Sequence, residues 1–201
     1  MGAYEFHWTA KPTRPRVDGV SHLTLEEMEA GMETIRQAPK DAGVLSMIVR
    51  RPQTEDREVL SEGNLDLVEG LVGDNWKTRG SRSMPDGAAN PEMQLNVMSA
   101  RVIELLARSK DRWALAGDQL YVDFDLSEAN IPPGTRLAIG EAVIEVTKPP
   151  HTGCRKFSAR FGEAAMKFVN SPEGKLLHLR GINARIVQPG VVRVGDAVKK
   201  M

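Results

Sequence analysis

The sequence predicts a mainly β chain with helical decoration, folded as a closed or nearly closed β-barrel. Three observations carry that expectation. Many short apolar runs alternate with polar residues at period two, and turn residues separate them about every 8–12 positions. Helical patterns interrupt the strands without the strict βαβ alternation that builds a parallel sheet. The length, 201 residues with 41% hydrophobic side chains, suits one domain with additions and a core that needs no staples.

Taken in order, residues 1–23 hold Pro12, Pro15 and Gly19 and read as an irregular arm. Thr24 and Glu27 form a capping box, Leu25, Met28, Met32 and Ile35 share one helical face, and Pro39 ends the pattern. Residues 1–43 are therefore an N-terminal arm with a peripheral helix, and 44–201 the barrel domain. Residues 44–49 are a strand, and 65–71 read as one or two helical turns closing on Gly73-Asp74-Asn75. Residues 77–92 have no periodicity and form a long loop carrying Lys77, Arg79 and Arg82. Residues 93–98 alternate as a half-buried strand, and Ser99 caps a helix through Ala107. Residues 119–124 are a strand, and Gly140-Glu141 joins strands 136–139 and 142–146 in a hairpin. Phe161, Ala164, Ala165, Phe168 and Val169 fall on one helical face. Residues 182–187 and 191–194 read as a final hairpin about Pro189-Gly190, before a last short strand.

Charge limits the partners. Lysine plus arginine and aspartate plus glutamate both number 27, so a general electrostatic grip on nucleic acid or an anionic membrane is not expected. No apolar stretch approaches the roughly 20 residues that cross a bilayer, and residues 1–11 lack the pattern of a secretory signal. The single cysteine forms no intramolecular disulfide, which fits a reducing compartment, with cytoplasm the expected location. Oligomeric state leaves no mark in the sequence.

Phosphate-loop, dinucleotide-binding and serine-nucleophile glycine motifs are all absent, and the four histidines show no metal-ligand spacing. Gly73-Asp74, Gly117-Asp118 and Gly195-Asp196 have the chemistry of turns. Cys154 is the chemically distinctive residue. It follows Lys148, two prolines, His151 and Gly153, and precedes Arg155 and Lys156. Cationic surroundings, and a helix expected to start near Ser158, favour the reactive and metal-ligating thiolate. A free cysteine is also often a small buried hydrophobe, and the residues alone leave the two readings open. Lys148, Arg155, Lys156 and Arg160, like Lys77, Arg79 and Arg82, suit either an anion site or a solvated surface. His151 suits a proton relay or the hydrogen bonds of a turn.

The order of several segments resembles the MOSC domain, the C-terminal domain of molybdenum-cofactor sulfurases that also occurs in stand-alone bacterial proteins. These are Gly73-Asp74-Asn75, Gln94 to Val97 leading into a helix, Gly117-Asp118-Gln119-Leu120 and Pro133-Gly134. Leu137-Ala138-Ile139-Gly140, Ile144-Glu145-Val146-Thr147, Cys154 and Gly195-Asp196-Ala197-Val198 complete the series, over residues 44–199. The resemblance implies a barrel with added helices and a cysteine that ligates molybdenum in a molybdopterin-type cofactor or carries sulfur to it. It also implies reductase activity on N-hydroxylated small molecules, with electrons from a separate flavin or haem partner. Cys154 matches the cysteine, and Asp118 a recurrent position near the pocket. Two features depart from the pattern. Gly153 stands where many relatives have proline, and residues 1–43 have no counterpart of the extra N-terminal barrel of amidoxime reductases.

The expected site has Cys154 as catalytic residue and metal ligand at the edge of a cleft. Lys148, His151, Arg155, Lys156, Arg79 and Arg82 are expected as cofactor contacts, and Asn96 and Asp118 as further ones at strand ends. A molybdenum reductase, a non-enzymatic carrier holding a persulfide on Cys154, and a barrel for another ligand all remain open.

Overall fold

A computed structural model describes residues 22–201 of the chain. The expected arm lies almost wholly outside these residues. The capping box is present: Thr24 accepts from the Glu27 amide, and Glu27 accepts from the Thr24 amide. Gly31 then splits the expected helix into α1 (Leu25–Ala30) and α2 (Met32–Arg36).

Seven strands close into a barrel. They are β1 (Ala42–Arg50), β5 (Leu95–Ser99), β6 (Leu120–Asp123), β7 (Arg136–Ile139), β8 (Ala142–Val146), β9 (Ile182–Gln188) and β11 (Ala197–Lys200). The order is β11-β7-β8-β9-β5-β6-β1, and β1 pairs again with β11. An extra strand, β2 (Glu58–Leu60), continues the sheet from β1. All barrel pairs are antiparallel except β5 and β6. A parallel pair needs a crossover, supplied here by α4 (Ala100–Ala107) and a 3-10 segment, Lys110–Ala116.

Period-two side-chain alternation divides the apolar residues between two clusters. Leu137, Ile139, Ile144, Val97, Leu120 and Val122 fill the barrel interior. Met98 and Tyr121, their strand neighbours, face outward into a second cluster beneath the helices. A bulge in β1 between Leu45 and Met47 shifts the phase, so that Leu45 and Ile48 both point inward while Met47 points out. Helices α5 (Arg155–Phe161) and α6 (Glu163–Asn170) add Phe157, Phe161 and Phe168 to the outer cluster, each ring worth about 1.5–3 kcal/mol of burial.

Two local expectations are corrected. Residues 65–71 are not helical: β3 (Glu62–Asp66) and β4 (Gly70–Leu71) form a tight hairpin, whose Leu65 and Leu71 enter the barrel core. Nor do residues 182–194 pair as a hairpin. β9 lies between β5 and β8, and β10 (Gly190–Arg193) pairs with β3 in a separate three-stranded sheet. Both segments fit local turn chemistry, and burial against distant strands decides between them.

Candidate functional site

A cleft of about 200 Å³ lies against the outer face of β1, β5 and β6, between the 51–57 loop and α5. Two glycine-aspartate turns build its floor. Gly117 is left-handed (φ +89°), ends the 3-10 segment and turns Asp118 into the interior. Gly73 (φ +83°) does the same for Asp74 ahead of α3 (Trp76–Arg79). Each buried carboxylate meets an arginine. Arg51 binds Asp74 in bidentate fashion, Nε and a terminal amino group both at 2.8 Å. Arg51 also donates to the Gly117 carbonyl (2.7 Å) and to Asn96 (3.3 Å). Arg180 donates from one nitrogen to both Asp118 oxygens, at 3.0 and 2.7 Å, with its guanidinium 4.9 Å above the Phe157 ring. Burial raises the Asp118 pKa, against the pull of Arg180.

Six cations line the cleft: Arg51, Arg57, Arg79, Lys156, Arg160 and Arg180. Asp74 and Asp118 answer two of them, and Glu55 is shared by Lys156 and Arg160. Arg57 reaches only the backbone carbonyls of Ala114 and Asp56. Burial, then the Arg160 and Arg51 charges, pushes its pKa down. This surplus of positive charge in a concave site attracts anions.

Cys154 is exposed on the cleft wall as the residue preceding α5. The segment carrying it is pinned twice. Asn170 accepts from the Gly153 amide (2.8 Å) and donates to its carbonyl (3.0 Å). Asn96 donates to Asn183 (2.7 Å), which in turn donates to the Pro149 carbonyl (2.9 Å). His151 lines the cleft with Nδ1 3.4 Å from Asp118. Burial, then the Arg180 and Arg51 charges, pushes its pKa well below the ordinary value, so the imidazole is neutral. Among the described residues no group of three His, Cys, Asp or Glu side chains is placed to hold a metal ion, which leaves Cys154 as a single soft donor.

Of the residues expected from sequence, Arg79, Asn96, His151, Cys154 and Lys156 line the cleft, and Asp118 lies beneath it. Arg82, Lys148 and Arg155 are exposed and outside the cleft lining. Arg51, Arg57 and Arg180 were not marked by any local pattern. For Arg51 and Arg180 the signal is indirect, since an aspartate turned inward after a left-handed glycine needs a buried cation; Arg57 has no such signal.

The profile of the MOSC domain matches residues 86–199. The chain belongs to the MOSC domain family. The match spans Asn96, Asp118, His151, Cys154 and Arg180, while Arg51 just after β1, Asp74 in the turn ahead of α3 and Arg79 at the end of α3 precede it. Among solved structures, the YuaD protein from Bacillus subtilis superposes with a TM-score of 0.57 at 13% identity, covering 79% of this chain and 95% of that one. YiiM from Escherichia coli gives 0.51 at 20% identity, over 79% and 69% of the two chains. YiiM from Geobacillus stearothermophilus gives 0.50 at 14%, over 80% and 75%. At these identities the likeness shows the fold alone. A comparison with the curated proteins finds no match. Within the MOSC fold, Gly153 at the common proline position now has a reason: its amide donates to Asn170, which proline cannot do. No helix among the described residues is long and apolar enough to cross a membrane.

Proposed function

We propose that this MOSC protein binds a molybdopterin-type molybdenum cofactor in the cleft, with Cys154 as metal ligand, and reduces N-hydroxylated small molecules. The observation that supports this reading is the sharing of one cleft by an exposed thiol and a surplus of cations. The residues fit the group. Thiolate suits a metal with sulfur-rich coordination. Arg57, Arg79 and Arg160 suit an anionic phosphate end. Asn75 lines the cleft with a buried Oδ1 that has no hydrogen-bond partner, an acceptor for a ring N–H.

When bound, the cofactor supplies two-electron chemistry at molybdenum. Reduction of R–NH–OH to R–NH2 and water breaks the N–O bond and consumes two electrons and two protons. The electrons come from a separate flavin or haem partner, and the protons from solvent. The protein's part is placement. The clasps from Asn170 and Asn183 fix the Cys154 segment, and the arginines orient an anion. His151, being neutral, adds no further positive charge beside Arg180 and Arg51.

Solvent access of Cys154 also favours a second reading, a carrier that holds a persulfide and hands it on. Metal and sulfur analysis of protein made in cells that synthesise the cofactor separates the two. Stoichiometric molybdenum, with turnover of an amidoxime or hydroxylaminopurine, supports the reductase. Cyanide-labile sulfur without molybdenum supports the carrier.

A further inference from the structure

The two lips of the cleft are tied by one carboxylate. Glu55, on the loop after β1, places one oxygen 2.7 Å from Lys156 Nζ and the other against Arg160. Lys156 and Arg160 are four residues apart on α5, hence on one helical face. Glu55 takes a left-handed backbone (φ +71°), which any residue with a Cβ disfavours. The Lys156 half of the contact is nevertheless in solvent, with the Glu55 and Lys156 side chains 57% and 64% exposed, while Arg160 is 18% exposed.

Of the cations beside Glu55, Arg160 and Arg57 do not depend on it for their position. Arg160 also donates to the Leu115 carbonyl at 2.8 Å, and Arg57 beside it holds to the Ala114 and Asp56 carbonyls. A departing Glu55 therefore leaves a formed oxyanion site. We propose that Glu55 is an internal anion that closes the cleft mouth, and that ligands enter by replacing it on Lys156 and Arg160 with an oxyanion of their own. The clasp governs entry of the phosphate-bearing cofactor and not of the neutral substrate, because a neutral molecule offers these two cations nothing in exchange. This inference rests on the anion-binding reading of the cleft and adds a gate to it.

The test is a calorimetric titration of the full chain with inorganic pyrophosphate at low ionic strength. Glu55→Gln removes the competing charge and is expected to tighten binding roughly three- to tenfold, within the range for release of two ion pairs from one exposed carboxylate. Asp56→Asn removes the same charge one residue away, where no ion pair is made among the described residues, and is expected to change affinity less than about twofold. An equal gain in both variants, or no gain in Glu55→Gln while the wild type binds, overturns the clasp and leaves the anion site standing. Absence of pyrophosphate binding by wild type and Glu55→Gln alike overturns the anion reading as well.

Discussion

Arg180 holds both oxygens of Asp118 from a single nitrogen, on the cleft floor, with the two residues 6% and 0% exposed. Few contacts in the protein place so much charge so far from water. Breaking such a pair by deleting one member strands the other. Asp118→Ala is therefore expected to lower the free energy of unfolding by about 3–5 kcal/mol in urea titration. A loss below about 1 kcal/mol would mean that Arg180 finds solvent or another partner.

The Asn170 clasp on Gly153 makes a second prediction. Asn170→Ala leaves a part-buried amide and carbonyl without their partners, at a cost of about 1–3 kcal/mol. Because the clasp lies next to Cys154, amide hydrogen exchange at residues 151–154 should quicken as well. An unchanged exchange rate would show that the Asn183 contact to Pro149 orders this segment by itself.

His151 sets a pH dependence. Its pKa falls on folding from the ordinary 6.5, so between that value and the lowered one the unfolded chain binds more protons than the folded protein. Stability therefore falls as the pH drops below about 6.5, and this contribution is constant above it. His151→Asn should flatten the decline in thermal midpoint between about pH 7 and pH 5. Parallel declines in both proteins would contradict the assigned neutral imidazole.

Cys154 is the chain's sole cysteine, so its alkylation reports the cleft's field directly. Anionic iodoacetate should react faster relative to neutral iodoacetamide at low salt, and the advantage should shrink as salt screens the arginines. Arg57→Gln should shrink it too. A ratio independent of salt would remove the electrostatic part of the account.

How much of this could be read beforehand depends on how local the cause is. The β7–β8 hairpin is set by Gly140-Glu141 and flanking alternation, and its strands fall where the sequence places them. Cys154 stood out because it is alone and its neighbours are cationic. Residues 65–71 read as helical because Leu67, Val68 and Leu71 have i, i+3 and i+4 spacings, and only the insertion of Leu65 and Leu71 into the barrel, with Leu67 and Val68 left exposed, marks a strand pair. Arg180 gave no sign, since Asp118, its partner, lies 62 positions away. The same distance effect hides which loop cations reach the cleft: Arg79 does, but Arg82, three residues on, does not.

The central claim, that Cys154 is a metal ligand and not a packing residue, is tested most directly by the molybdenum content of Cys154→Ser against wild type, each purified from cells that make the cofactor. The exchange swaps sulfur for oxygen at an exposed position, so the urea midpoint should not move. A neutral hydroxyl is a poor ligand where thiolate is wanted. The account predicts near-stoichiometric molybdenum in the wild type and almost none in the variant. Equal molybdenum in the two proteins would contradict it.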